Sequence, residues 1–265
     1  MFDQYLKLWN LVPDGDQIKT HASDLLPVRR DGVPAMLKIA HEAEERRGPG
    51  LMIWWDGDGA ARVLEHEGDA VLLERARGHR SLVEMARNGK DDDASRILCD
   101  VAARLHAPRE RQLPELIALE RWFAELWLGA AKHGGILQYA AATARALLDQ
   151  PREVGVLHGD LHHENVLDFG PRGLLAIDPK RLLGERGFDF ANIFRNPNLD
   201  LAKAPGRLAR QATVIAEAAQ LDRARLLRWV LAYAGLSAAW ILNDGDDATL
   251  DLTVAEIAAE EIARG

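Results

Sequence analysis

The spacing of apolar positions changes part-way along the chain. Over the first ninety residues they form short runs broken by turn residues. "PAMLKIA" (Pro34–Ala40) follows the turn signal "RRDG", and two apolar runs in "AARVLEHEGDAVLLERA" flank Glu67-Gly68-Asp69. Such runs predict strands, and the second pair predicts an antiparallel hairpin. Between them, "HEAEERR" is charged and made of good helix formers, with "GPG" placed to stop it. The predicted order is strand, helix, hairpin: a small sheet carrying one helix.

From residue 91 the period becomes helical. In "DDDASRILCDVAARLHA" an aspartate is placed to cap the start, and Ile97, Leu98, Val101, Ala102 and Leu105 recur on one face. "LPELIALERWFAELWLGAAKHG" and "LQYAAATARALLDQ" repeat the pattern, as do "RLARQATVIAEAAQ", "DRARLLRWVLAYAGLSAAWIL" and "TLDLTVAEIAAEEIA". Between these blocks, "REVGVLHGD" and the runs "NVLDF" and "LLAID", joined at "GPRG", read as short strands. The change of pattern near "ARGHR" (76–80) predicts an α+β chain of two lobes. Residues 1–78 would form the sheet lobe and residues 79–265 the helical lobe. His106 in "RLHAP" is expected to end its helix facing the loop between them.

Composition narrows the partners. A chain of 265 residues, 48% hydrophobic, can bury the cores of two lobes around a cleft. The formal net charge of −8 lacks the basic footprint of a nucleic-acid or anionic-membrane partner, and is compatible with a cationic small molecule. Cys99 is the sole cysteine, so no intrachain disulfide forms and a reducing, cytoplasmic setting is expected. The start "MFDQYLKLWNLVPDGD" lacks a signal-peptide pattern, and no run approaches the roughly 20 apolar residues of a membrane span.

The chemistry concentrates in "VLHGDLHHENVLDFGPRGLLAIDPKRLLGERGFDFAN", residues 156–192. His158-Gly159-Asp160 is followed by Asn165, the H-x-D-x-x-x-x-N spacing of a kinase catalytic loop. The next apolar strand ends at Asp178 in "AIDPK". Phosphoryl transfer asks for a carboxylate to orient the attacking hydroxyl and for hard oxygen ligands to Mg²⁺, which Asp160, Asn165 and Asp178 could supply. Two other readings stand beside this one. His158 and His162, four apart, with His163 and Asp160, could form a hydrolytic metal site; or the stretch could be a solvated polar loop.

The whole stretch resembles the aminoglycoside phosphotransferases, in the branch of streptomycin 6-kinases and hydroxyurea phosphotransferases. The likeness extends, in order, to "RRDGVPAMLKIA", "EERRGPGLMIWWDGDGAARVL", "AVLLERA" and "GLSAAW". It implies a protein-kinase-like bilobal fold using ATP and Mg²⁺. Asp160 then resembles the catalytic base, Asn165 and Asp178 the Mg²⁺ ligands, and Lys38 the lysine on the α- and β-phosphates. Glu45, or its neighbours Glu42 and Glu44, resembles that lysine's partner. The backbone of Glu74 to Ala76 resembles the adenine hinge. Asp189 resembles a buried carboxylate fixing the loop, with His158 beside it. No G-x-G-x-x-G covers the phosphates; "IKTHASDLLPVRRDG" stands there, with Ser23 and nearby amides in its place. The segment from Lys38 to Glu45 is also shorter than in the streptomycin branch.

Substrate contacts are expected from Glu185, from Trp240 and from Asp244 in the turn Asn243–Asp247, which carries Asp246 and Asp247 too. On its apolar helix Trp240 also fits a core position, and Glu185 a structural one. Lys180 is a possible stabiliser of the transferred group. A kinase of another small metabolite, such as fructosamine, choline or homoserine, is the alternative reading.

Overall fold

The computed structural model describes residues 2–42 and 45–265, without the side chain of Glu45. Helix α1 (Phe2–Leu8) leads into strands β1 (Leu11–Pro13), β2 (Ile18–Lys19), β3 (Ser23–Arg30) and β4 (Val33–Ala40). Helix α2 (Gly48–Trp55) and the hairpin β5 (Val63–Glu67)–β6 (Ala70–Glu74) follow. All pair antiparallel in the order β1-β3-β4-β6-β5, with β2 on β3. The predicted strand and hairpin are both present, and Gly68 makes the hairpin turn at φ +57°. On β4 the side chains alternate between faces. Leu37 and Ile39 join Trp9, Leu26, Val28 and Leu72, whereas Met36 packs with Met52, Val71, Leu73 and Leu175. Lys38, two residues from Met36, therefore projects on the α2 side.

The helix after β4 differs from expectation. "GPG" starts it: a 3₁₀ turn over Glu45–Arg47 gives way to α2, with Pro49 in its first turn. Proline lacks the N–H that a first turn leaves orphaned, so it suits that place. The physical driver is "LMIWW", which buries Leu51, Met52, Trp54 and Trp55; "HEAEERR" has no apolar face to bury.

The rest is helical, with α3 (Leu82–Arg87), α4 (Asp91–His106), α5 (Leu119–Trp122), α6 (Ala124–His133), α7 (Ile136–Asp149), α8 (Leu199–Ala202), α9 (Arg207–Ala219), α10 (Arg223–Asp244) and α11 (Thr249–Arg264). Short strands are inserted: β7 (Ile117–Ala118), β8 (Val154–Leu157), β9 (Val166–Asp168), β10 (Leu174–Ala176) and β11 (Leu182–Glu185). β9 and β10 form the hairpin expected at "GPRG", and β11 lies between β8 and β7. The single helix expected over "LPELIALERWFAELWLGAAKHG" is instead β7, α5 and α6.

Asp91 is not the cap of α4. It lies inside the first turn, 4% exposed, where its carboxylate takes Arg207 Nε at 2.7 Å and Nη2 at 3.0 Å. Helix α10 is long and apolar enough by composition to cross a membrane, contrary to the sequence expectation, yet most of it is buried inside the protein. It packs on α6, α7 and α11. At its crossing with α7 a Cβ on Gly235 would lie 2.3 Å from that of Ala140, so glycine is what lets the two backbones approach.

Candidate active site

The loop after β8 is held from beneath by one carboxylate. Asp189, 1% exposed, lies on the 3₁₀ helix Arg186–Arg195. Its Oδ2 accepts the His158 N–H at 2.8 Å and its Oδ1 the Gly159 N–H at 2.7 Å. His106, the last residue of α4, donates Nε2–H to Oδ2 at 2.7 Å. His158 Nε2 lies 2.8 Å from the Ile177 carbonyl, and its Nδ1 accepts the Asp160 N–H at 3.2 Å. That pairing requires the proton on Nε2. Burial lowers the His158 pKa and keeps the ring neutral. The ring thus ties the loop to the end of β10.

Asp160 is gripped on both oxygens. Asn165 Nδ2 donates to Oδ2 at 3.1 Å and to the Asp160 carbonyl at 2.9 Å; Asn192 Nδ2 donates to Oδ1 at 2.7 Å. The Asn165 oxygen consequently points away from Asp160. Its backbone carbonyl accepts the Ile177 N–H at 2.9 Å, which brings the next residue, Asp178, alongside. Asp178 sits at φ +57°, with Lys38 Nζ 2.6 Å from its Oδ1. Lys38, Asp160, Asn165 and Asp178 are therefore joined by consecutive contacts.

Among the described residues no group of three or more His, Cys, Asp or Glu side chains could hold a metal ion. The loop histidines diverge. His158 is committed to Ile177, His162 Nδ1 accepts the Glu164 N–H at 3.3 Å, and buried His163 faces Asp91 at 4.0 Å with its pKa pushed down to about 4 by burial. The hydrolytic reading therefore lacks its ligand set. An amide oxygen beside a half-buried carboxylate, Asn165 with Asp178, is instead a hard-oxygen pair that fits Mg²⁺.

The segment after β6 is clasped to the β9–β10 hairpin. The Asp168 carbonyl accepts the N–H groups of Arg77 and Gly78 at 3.1 and 2.8 Å, and its carboxylate accepts Arg80 Nε at 3.0 Å. Hydrogen bonding from the Arg80 side chain is the main reason the Asp168 pKa falls to about 2. Glu74 Oε1 accepts the Arg62 N–H at 2.6 Å and pairs with Arg172. Ala76 is half-buried beside this clasp. Ser23 is buried, its N–H donating to Thr20 Oγ1 at 3.0 Å in the turn before β3. Of the glutamates expected to meet Lys38, Glu42 is exposed, while Glu44 and the Glu45 side chain lie outside the described residues.

A cleft of about 390 Å³ is lined by Trp122, Glu125, Lys180, Trp240, Asn243 and Asp244. The two indoles meet edge-on at 5.4 Å and 77°, and Asn243 Nδ2 donates to Glu125 Oε2 at 3.0 Å. Lys180 connects this cleft to the loop after β8, its N–H donating to the His158 carbonyl at 2.7 Å. Trp240 is half-buried, lining the cleft at the end of a helix whose preceding residues are core. Of the expected acidic turn only Asp244 lines the cleft; Asp247 accepts the Thr249 N–H at 2.9 Å at the start of α11.

Glu185 does not contact this cleft. It is 5% exposed, and its carboxylate takes Arg225 at 2.6 Å on each oxygen, Trp229 Nε1 at 2.8 Å and the Arg152 N–H at 2.9 Å. Its role is to pin β11 to α10. The partner lies 40 residues away, beyond the reach of any local pattern. Asn192, Trp122 and Glu125 were not singled out from sequence. The signal for Asn192 was its spacing: side chains three apart on a 3₁₀ helix eclipse, so Asn192 shares the loop-facing side of Asp189.

Residues 8–245 match the model of a family described as aminoglycoside/hydroxyurea antibiotic resistance kinase. The chain belongs to that family. It is 51% identical to a streptomycin 3''-kinase of Klebsiella pneumoniae over 94% of this chain and 97% of the relative. It is 34% identical to a streptomycin 6-kinase of Streptomyces griseus, over 89% and 80% respectively. Among solved structures, an aminoglycoside phosphotransferase in ternary complex with ADP and hygromycin B superimposes with a TM-score of 0.68 at 14% identity, covering 97% of each chain. A choline/ethanolamine kinase family protein from Mesorhizobium loti gives 0.69 at 15%, covering 99% and 96%. These two show the fold, which is protein-kinase-like and α+β. The closer relatives make the chain a small-molecule kinase of the antibiotic resistance kinase family.

Proposed function

We propose that this kinase transfers the γ-phosphoryl group of ATP to a hydroxyl of a cationic small molecule, streptomycin before other acceptors. The observation that carries the reading is the contact chain Lys38–Asp178–Ile177–Asn165–Asp160, which joins a cation, two oxygen ligands and a carboxylate. Residues 1–78 would form the nucleotide lobe and 79–265 the lobe holding the acceptor.

Asp160 is the group to accept the proton of the attacking hydroxyl. Its two asparagine donors set the direction in which its remaining lone pairs point. Lys38 would meet the phosphates, the backbone between Glu74 and Ala76 the adenine, and amides near Ser23 the phosphate tail. Asn165 and Asp178 would hold Mg²⁺, which when bound neutralises phosphate charge. Phosphoryl transfer needs positioning and electrostatics more than covalent chemistry, so a pre-aligned set of this kind suits it. In the cleft beside Lys180, the carboxylates of Glu125 and Asp244 suit guanidinium or ammonium groups, and Trp122 with Trp240 offers ring faces.

The test is mass spectrometry of streptomycin, hydroxyurea and several aminoglycosides after incubation with Mg-ATP. A phosphate added to streptomycin by the parent, and lost in Asp160→Ala with nucleotide binding retained, is the expected result. Full transfer by Asp160→Ala would refute the assignment of the base.

A further inference from the structure

Asn192 closes the run "GERGFDFAN" with no role read from the sequence, and it makes the shorter of the two side-chain hydrogen bonds to the Asp160 carboxylate. It is 3% exposed and donates Nδ2–H to Oδ1 at 2.7 Å. An asparagine amide can present either end, so something must choose which. Asn196 does. Its Nδ2 donates to the Asn192 carbonyl at 2.9 Å and to Asn192 Oδ1 at 3.1 Å. Because the Asn192 oxygen is engaged by a donor on that side, its NH₂ faces Asp160.

Asn196 is anchored in turn. Its carbonyl accepts Arg207 Nη2 at 2.9 Å, and Arg207 Nη1 donates to the Phe194 carbonyl at 3.0 Å. Arg207 is 4% exposed and bidentate on Asp91, which also takes Gln211 Nε2 at 2.7 Å. A buried pair with saturated hydrogen bonds is a rigid anchor, because moving either partner strands a desolvated charge.

We infer that Asn192 is a positioning residue for the catalytic base, and that Asn196 acts through it by fixing the direction of its amide. The inference rests on Asp160 being the base, as proposed above. It makes an unusual demand: a residue that does not touch Asp160 should behave like one that does. In Asn196→Asp the donor becomes an acceptor, so the Asn192 amide stands between two carboxylates and its single NH₂ is drawn away from Asp160. Asn192→Asp, of the same shape, puts a carboxylate there directly.

Both variants are compared with the parent by steady-state kinetics and thermal melting. For each, kcat should fall about 10- to 100-fold, as for a misaimed catalytic group, while KM for ATP and acceptor stays within about twofold. The double variant should be no slower than Asn192→Asp. Asn196→Ser, which keeps a donor, should recover most of the loss. An unchanged kcat in Asn192→Asp overturns the inference, as does parent-like kcat in Asn196→Asp. So does a loss that merely follows the melting temperature.

A readout without turnover separates this from failure of the functional reading. The Asn192 side-chain amide proton, assigned by its loss in Asn192→Asp, should resonate downfield in the parent. It should move upfield in both Asp160→Ala and Asn196→Asp. An unmoved resonance overturns the inference whether or not any acceptor is phosphorylated.

Discussion

Replacing Asp189 by asparagine tests the support under the loop after β8 without changing its shape. The carboxylate receives three buried donors, the His158 and Gly159 N–H groups and His106 Nε2–H. An asparagine oxygen can serve one side only, and its NH₂ then opposes at least one donor. Stranding one buried donor costs about 1–3 kcal/mol, and the remaining bonds lose their charge assistance, about 0.5–1.5 kcal/mol each. The sum is about 2–6 kcal/mol, a large part of the 5–15 kcal/mol that is usual for a folded protein. For a chain of this size, at about 2–4 °C per kcal/mol, that corresponds to a fall in Tm of about 4–24 °C. Calorimetry, with amide exchange at residues 158 and 159, reads both the global and the local effect. A variant melting within about 2 °C of the parent, with those amides still protected, would refute the reasoning.

Gly78→Ala should damage the clasp on Asp168, because the new Cβ would stand 2.0 Å from the Asp168 carboxyl carbon; we expect a loss of about 1–3 kcal/mol, seen as a lower Tm and, if the neighbouring backbone meets adenine as proposed, a raised KM for ATP. In the cleft proposed for the acceptor, Asp244→Asn and Glu125→Gln should each raise KM for a cationic acceptor about three- to tenfold at low salt while sparing KM for ATP, checked by initial rates at two ionic strengths. Glu185 sets an acid limb to stability. Burial opposes its ionisation, but hydrogen bonds from Arg225, Trp229 and the Arg152 N–H outweigh it and hold its pKa below the usual glutamate range. That stability is present above the ordinary glutamate pKa and is lost as pH falls through the lowered one. Glu185→Gln should therefore flatten the dependence of Tm on pH below about 5, and at neutral pH should cost roughly 3 kcal/mol by leaving Arg225 unpaired.

What could be read from the sequence follows the range of the interactions. The run from His158 to Asp178 was legible because spacing, strand and turn lie within some twenty residues, and strands β9 and β10 fall where their apolar runs do. Lys38 was legible through the likeness to a family rather than through its own surroundings. Two of the errors share one cause, a partner distant in sequence. Asp91 looked like a helix cap because Arg207 is 116 residues away, and Glu185 looked available because Arg225 is 40 away. The start of α2 was misread because propensity favoured "HEAEERR", whereas burial of Trp54 and Trp55 decided the outcome. Asn192 was passed over because a lone asparagine carries no pattern until the 3₁₀ helix sets it three residues from Asp189.

The central position of α10 has a consequence for how the protein is made. Every strand of the six-stranded sheet precedes residue 75, so that sheet can close early in synthesis. The helical core cannot, because the column that α6 and α7 pack against is encoded more than seventy residues after them. Until residues 223–244 leave the ribosome, the faces of those helices that pack on α10 lack their partner, and the nascent chain carries unburied apolar surface of the kind that chaperones cover.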